Sequence, residues 1–356
     1  MKDITVLSTA CGAIFMPGFF RCLKGNGERN IRIIGCDIND SPFMNVIVDK
    51  YYQVPSYTDE TYVDNLIKIC SSENVDILFP HISMELEIVR ARLVDFERIG
   101  VKVAISSNDT LSIANNKLLL YEMMKKNNIR TPEHYSADSK KSLLSAAKKL
   151  GYPEKSVCVK IADSSGSRGV RVLNAHKSKA DIFLYEKPNS LYITLEEMCE
   201  IVDEFSIAPE MFAMEFLPGC EYTVDLLSDQ GEVLYIAGRR NIKSSMSIAQ
   251  ESIVEENKDA FELCRKIVDL LKLDGNIGFD FMLDENDNPV LTDLNPRITA
   301  TIVLYVGAGL NLPYLRIKQL LREELPEHVE ARCGVRLARK YNDILVDENG
   351  VHVAIK

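Results

Sequence analysis

Residues 278–297 read Gly278-Phe-Asp-Phe-Met-Leu-Asp-Glu-Asn-Asp-Asn-Pro-Val-Leu-Thr-Asp-Leu-Asn-Pro-Arg297. Two apolar runs flank the turn-forming Asp284-Glu285-Asn286-Asp287-Asn288-Pro289. Pro289, which has no N–H, suits the loop end of a hairpin and not the middle of a ladder. Pairing Leu283 with Val290 would set Asp280 opposite Asp293, and the two-residue period of a strand would bring Asn295, with Arg297 beyond it, to the same face. Two carboxylates and a carboxamide on one face are costly unless a cation compensates the like charges. Hard oxygen donors of this kind suit Mg2+, which commonly shares its remaining positions with nucleotide phosphates. The turn acids Asp284, Glu285 and Asp287 read as solvated loop charges.

Two segments upstream carry compatible chemistry. In Ser156-Val-Cys-Val-Lys160-Ile-Ala-Asp-Ser-Ser-Gly-Ser-Arg-Gly169-Val-Arg-Val172 a lysine sits among apolar residues on a short strand, followed by a Ser/Gly loop and a second strand. Such a unit can aim an ammonium and several backbone N–H groups at phosphate oxygens, with Ser165, Gly166 and Ser167 at the loop tip. It lacks the Gly-x-x-x-x-Gly-Lys-Ser/Thr spacing and is not a Walker loop. Taken alone, it also fits an ordinary hairpin with an edge lysine. In Met214-Glu-Phe-Leu-Pro-Gly-Cys-Glu221 a strand runs into a Leu217-Pro218-Gly219 turn. Backbone groups of Phe216 and Leu217 there can meet an adenine edge, while Glu215 and Glu221 can accept from the adenine amine and the ribose hydroxyls.

The first hundred residues alternate short apolar strands with helical stretches: Ile4-Leu7, Ala13-Leu23, Ile31-Cys36, Tyr62-Cys70, Ile77-Phe79, Glu85-Ile99 and Lys102-Ile105. This rhythm predicts a doubly wound parallel sheet, whose ligands bind beyond the strand carboxyl ends. The first turn, Ser8-Thr9-Ala10-Cys11-Gly12, keeps one glycine of the dinucleotide fingerprint, so a nicotinamide site is not expected even though Asp37 ends the second strand. Pro80-His81-Ile82-Ser83-Met84-Glu85 follows a buried strand at the same edge. His81 or Glu85 there either recognises a substrate amine or carboxylate, or caps the next helix. Asp225 is a further substrate candidate, and the remaining histidines show no triad or ligand spacing.

The chain has 356 residues, 46% of them hydrophobic, enough for two or three packed units. Its net charge of −10 repels polyanions and argues against nucleic acid as a partner. The longest apolar stretch, 299–312, contains two glycines and falls short of the roughly twenty residues a membrane helix needs. Near the start, Lys2 is offset by Asp3 and Pro17-Gly18 interrupts the apolar run, so a secretory signal is not expected. Nine cysteines without a Cys-x-x-Cys pair fit reduced thiols and a cytoplasmic setting.

In order and spacing the three segments resemble the ATP-grasp superfamily, especially its carbamoyl-phosphate-synthase-like branch of carboxylate-amine ligases. The most specific element is Asp293-Leu-Asn295-Pro-Arg297, which resembles an acidic-x-Asn-Pro-Arg signature. The resemblance implies a parallel-sheet domain over 1–113, a two-lobed α+β grasp over 114–312 with an inserted lid at about 130–212, and a C-terminal extension over 313–356 packed on the grasp lobe. It implies ATP and Mg2+, or Mn2+ in its place, with Asp280, Asp293 and Asn295 as metal ligands and Arg297 stabilising the transferred phosphoryl group. Lys117 and Lys160 match the phosphate-binding lysines, Glu215, Phe216 and Leu217 the adenine hinge, Glu221 the ribose contact, and Arg239 a basic residue near the γ-phosphate or substrate. Asp293 stands where Glu is usual, and the 163–169 loop has fewer glycines than typical members.

The implied reaction is attack of a small carboxylate or amino acid on the γ-phosphorus, then capture of the acyl phosphate by an amine or thiol under a closed lid. A complete carbamoyl phosphate synthase large subunit carries two grasp units, whereas this chain has one. Alternatives are a nucleotide-binding regulatory module without ligation, a single-unit carbamoyl-phosphate-synthase-like enzyme, and a dinucleotide-dependent oxidoreductase. The expected partners are small-molecule carboxylate and amine substrates, with self-association into a homodimer and no membrane contact.

Overall fold

The computed structural model describes residues 1–41, 43–106, 111–163, 168–186, 190–245, 248–340, 344–346 and 352–354. Its contacts group the chain into two units. The first comprises 1–115, 221–280 and 294–356; the second comprises 116–220 and 281–293.

The first unit begins with the predicted parallel sheet: β1 (Ile4–Ser8), β2 (Ile31–Asp37), β3 (Lys50–Gln53), β4 (Ile77–Phe79) and β5 (Lys102–Val103), in spatial order β3-β2-β1-β4-β5. Val6 pairs with Ile33 and Ile77, and their side chains enter one apolar cluster with Phe19 and Phe79. Leu7, Ile34 and Leu78 point the other way, into a second cluster with Leu66 and Phe96. Both faces are covered, which is why these strands read as continuous apolar runs without alternation. The strand order reverses at β1, so the crevice between the ends of β1 and β4 is the topological switch point.

Two local expectations change. The single helix expected over Glu85-Ile99 is broken into a 3-10 turn Ser83–Glu85 and helices Leu86–Arg90 and Leu93–Arg98. The edge strand β3, Lys-Tyr-Tyr-Gln, has no buried residue and so left no apolar pattern to read.

The second unit carries a five-stranded sheet of β6 (His134–Ser136), β7 (Val157–Ile161), β8 (Val170–Leu173), β9 (Tyr192–Ile193) and β10 (Met211–Glu215), ordered β6-β10-β7-β8-β9. Helices Lys140–Lys149 and Leu195–Glu204 accompany it, each begun by a hydroxyl cap, Ser139 on Ser142 N and Thr194 on Glu197 N. Leu143, Ala147, Val157, Val159, Met198 and Ala213 form their common core.

A third, six-stranded sheet contains β11 (Glu221–Asp229), β12 (Glu232–Ser245), β13 (Ile248–Val254), β14 (Gly275–Leu283), β15 (Pro289–Asn295) and β16 (Arg336–Ala338), ordered β15-β14-β11-β12-β13-β16. The predicted hairpin is β14 and β15, and chain segments of both units run through it. A separate pair, β17 (Ile344–Val346) and β18 (His352–Ala354), lies in the C-terminal tail.

Candidate functional site

In the first unit the polar residues of β11, β12, β13 and β14 form one buried network that ends at Asp280. Thr223 on β11 donates its hydroxyl to Asp280 Oδ1 at 2.9 Å and accepts from Asn241 Nδ2 at 3.1 Å. Asn241 Oδ1 in turn accepts from Ser252 at 2.9 Å and from Arg239 Nε at 3.3 Å. Arg239 Nη1 binds Asp225 and donates to Tyr305 Oη at 3.1 Å, while Thr299 donates to the other oxygen of Asp225 at 2.7 Å. Thr223, Asp225, Arg239, Asn241, Ser252 and Thr299 are all buried, so every group of the network is paired at low dielectric.

Arg239, expected near the γ-phosphate, is therefore spent as the counter-ion of Asp225. Its side chain and that of Asp225 are 5% and 2% exposed, so in this structure each is held by the other away from solvent. The physical reason is the period of two: positions 223, 225, 239 and 241 face inward on strands covered from that side, and buried charges must pair. Thr223 and Asn241 had no signal in the sequence beyond polar residues at alternate positions in apolar strands.

Asn295 Nδ2 donates to Asp280 Oδ2 at 3.0 Å, and Asn295 Oδ1 lies 3.4 Å from Arg297 Nη2. The Thr223 hydroxyl fixes one oxygen of Asp280, and the Asn295 amide links the other to Arg297. Carboxylate and carboxamide oxygens are the hard donors that Mg2+ takes, so the chemistry of this donor set fits the ion. Arg297 Nε donates to Ser83 Oγ at 2.9 Å, and its Nη1 to Ile298 O at 3.0 Å. Glu221, at the head of β11, accepts from Ser244 Oγ at 3.0 Å.

Glu85, offered by the sequence as a substrate contact, is instead a fully buried turn anchor. It accepts from Thr9 Oγ1 at 2.6 Å, His81 N at 2.7 Å, Ile82 N at 2.8 Å and the Tyr62 hydroxyl. Burial pushes its carboxyl above the ordinary range, against the pull of those donors. His81 lies between Phe19 and Phe79, and neither ring nitrogen has a hydrogen-bond partner among the described residues. Burial first, and Arg297 second, lower its pKa to about 3. At the end of β2, Asp37 accepts from Gly12 N at 3.0 Å and from Asn39 N at 3.1 Å. The acid that would bind a dinucleotide ribose is thus engaged with the first turn, which counts against the oxidoreductase reading.

In the second unit, Asn116 caps the helix Lys117–Lys126 by accepting from Leu118 N and Leu119 N at 3.0 and 3.1 Å. This cap places Lys117 in the first turn, where its Nζ meets Asp293 Oδ2 at 3.3 Å. The Tyr121 hydroxyl on the same helix donates to Thr292 O at 2.9 Å and so holds β15 beside that lysine. Lys160 is half-buried near the end of β7, in register with Phe212 and Val170. Glu215 closes β10, with its carboxylate accepting from Glu133 N at 3.0 Å. After it, Phe216 is partly exposed and Leu217 buried. Ser165, Gly166 and Ser167 lie outside the described residues.

Asp284 differs from its reading as a solvated charge. Its carboxylate accepts from Asn286 N at 2.8 Å, Asn288 N at 3.0 Å and Arg130 Nη1 at 2.6 Å, so it organises the turn. Those donors, Arg130 foremost, hold its carboxyl well below the usual range. Among the described residues no three or more His, Cys, Asp or Glu side chains gather as a metal cluster, so the metal hypothesis rests on a mixed carboxylate and amide set.

The architecture is an ATP-grasp fold, and two stretches of the chain match family models. Residues 207–342 match the family described as "ATP-grasp in the biosynthetic pathway with Ter operon", and residues 19–104 match "PylC-like, N-terminal domain". The chain is similar to the carbamoyl phosphate synthase large chain of Pyrococcus furiosus, at 26% identity over 247 residues. That match covers 66% of this chain and 21% of the relative, and the chain spans less than half of each such synthase chain it matches. Among solved structures it is similar to the N5-carboxyaminoimidazole synthetase of Staphylococcus aureus, with a TM-score of 0.64 at 14% identity, covering 93% of this chain and 80% of that one. It is also similar to the L-amino acid ligase of Bacillus licheniformis, with a TM-score of 0.61 at 18% identity, covering 90% and 75%. At these identities the structural likeness establishes the fold.

Proposed function

We propose that the chain is an ATP-dependent ligase that activates a small carboxylate or amino acid as an acyl phosphate and joins it to an amine or thiol. The observation that carries this reading is the Asp280–Asn295–Arg297 cluster, in which a carboxylate fixed by Thr223, an amide and a guanidinium lie within hydrogen-bond reach in sequence. The ligases and synthetases among its relatives support the same class. On this reading 1–113 is the preceding α/β domain, 114–312 the grasp with its lid at about 130–212, and 313–356 an extension of the grasp lobe.

Asp280, Asp293 and Asn295 would hold Mg2+, which when bound supplies charge neutralisation to the triphosphate. Lys117 and Lys160 would bind phosphate oxygens, Glu215, Phe216 and Leu217 the adenine, and Glu221 the ribose. Arg297 would stabilise the charge developing on the transferred phosphoryl group, a step that needs positioning and neutralisation but no covalent protein nucleophile. The nine cysteines are free of disulfides, and a cytoplasmic setting and a homodimer complete the reading.

The test is phosphate release from Mg-ATP by the purified chain, screened against paired amino acids and small carboxylates. Release that requires one carboxylate and one amine, with stoichiometric amide product, is the expected result. ATP binding without ADP formation across the screen would favour the regulatory-module reading.

A further inference from the structure

The guanidinium of Arg297 is held by a residue of the parallel-sheet domain 214 positions away in the chain, Ser83. Ser83 opens the 3-10 turn Ser83–Glu85 that follows β4, at the switch-point edge of the sheet. That turn is unusually well fixed. The buried Glu85 carboxylate takes the N–H groups of His81 and Ile82 and the hydroxyls of Thr9 and Tyr62. Thr9 Oγ1 accepts from His81 N as well, at 2.9 Å, and Asn115 Nδ2 donates to Ser83 O at 3.3 Å. Burying a carboxylate is expensive, and four donors offset that cost only if the backbone they belong to stays in place. The product of this clamp is a rigid stretch, 81–85, from which the Ser83 hydroxyl meets Arg297.

An unrestrained arginine samples many rotamers, and holding its Nε at one point removes much of that freedom before any ligand arrives. With Nε on Ser83 and Nη1 on Ile298 O, the Nη2 end is left beside Asn295, where the phosphoryl oxygens would lie on the reading above. We infer that Ser83, on its Glu85-clamped turn, is a positioning residue for Arg297, so that the parallel-sheet domain sets the aim of the guanidinium that stabilises phosphoryl transfer. This rests on the proposed ligase function. It gives the β4 turn a role in the chemical step distinct from contact with substrate.

Equilibrium titration of the full chain with Mg-ADP and with the Mg complex of a β,γ-imido ATP analogue tests this without knowledge of the acceptor. Ser83→Ala is expected to weaken analogue binding about tenfold and leave ADP binding unchanged, because only the analogue presents a γ-phosphoryl group. Ser83→Thr, which keeps the hydroxyl, restores the preference. In an Arg297→Lys background, Ser83→Ala adds less than about twofold, the non-additivity expected of residues acting as one unit. An unchanged analogue-to-ADP ratio in Ser83→Ala, or full additivity with Arg297→Lys, overturns the inference alone. A wild-type chain that binds neither nucleotide overturns the ligase reading and this inference with it.

Discussion

His81 shows how burial dictates protonation at one residue. Its folded pKa of about 3 lies below the value near 6.5 of an unfolded histidine, so between those limits the unfolded chain binds a proton that the folded chain does not. Stability contributed by the neutral ring is present above pH 6.5 and is lost as pH falls toward 3. Between pH 7 and pH 5 the loss is about 2 kcal/mol for this one group. Urea unfolding at both pH values checks it: His81→Leu is expected to lose about 2 kcal/mol less than wild type over that interval. An identical acid limb in the variant would show that His81 does not stay neutral in the fold. Nothing in the sequence announced this environment. Residues 77–81 showed only a buried strand followed by Pro-His, and the aromatic packing of Phe19 comes from a helix more than fifty positions earlier. The placement of Asp280 and Asn295 on one face, by contrast, was legible because polar residues interrupt apolar strands at the two-residue period, whereas Arg297 was singled out by the resemblance of 293–297 to a family signature.

At the scale of elements, the face of β11 and β12 opposite the buried network packs the Tyr222 side chain across Gly238. A Cβ at that position would fall 1.8 Å from Tyr222 Oη and 2.8 Å from Glu255 O, and Tyr222 itself donates to Glu255 O at 2.6 Å. Gly238→Ala must displace a buried tyrosine and its hydrogen bond, at a cost of about 1–3 kcal/mol. Thermal unfolding monitored by circular dichroism should register a lower midpoint in Gly238→Ala than in wild type, and an unchanged midpoint would mean that Tyr222 can move aside without penalty. The strands flanking the 284–289 turn were readable because their apolar runs stop at a cluster of turn residues that ends in Pro289. The pattern failed at β3, where a polar edge strand leaves no period, and over 85–99, where the apolar spacing continues across the break at Ala91 and Arg92. Arg239 was singled out by the resemblance alone, and its pairing with the buried Asp225 had no signal in the sequence.

For the whole molecule, the parallel sheet with both faces covered and the β14–β15 hairpin were each legible from the sequence, whereas the sheet that the hairpin joins was not. The grouping of contacts into two units was not, because both units draw on segments far apart in the chain. No helix among the described residues is long and apolar enough to cross a membrane. A net charge of −10 makes a bound cation the natural companion of any further anion the chain takes up, and Asp280, Asp293 and Asn295 are the ligands proposed for it. The most direct measurement is Mn2+ binding followed by electron paramagnetic resonance, in the presence of the β,γ-imido ATP analogue, for wild type, Asp280→Asn and Asp293→Asn. The account predicts that each variant weakens Mn2+ binding about tenfold or more while thermal unfolding stays cooperative. Wild-type affinity in both variants would contradict it.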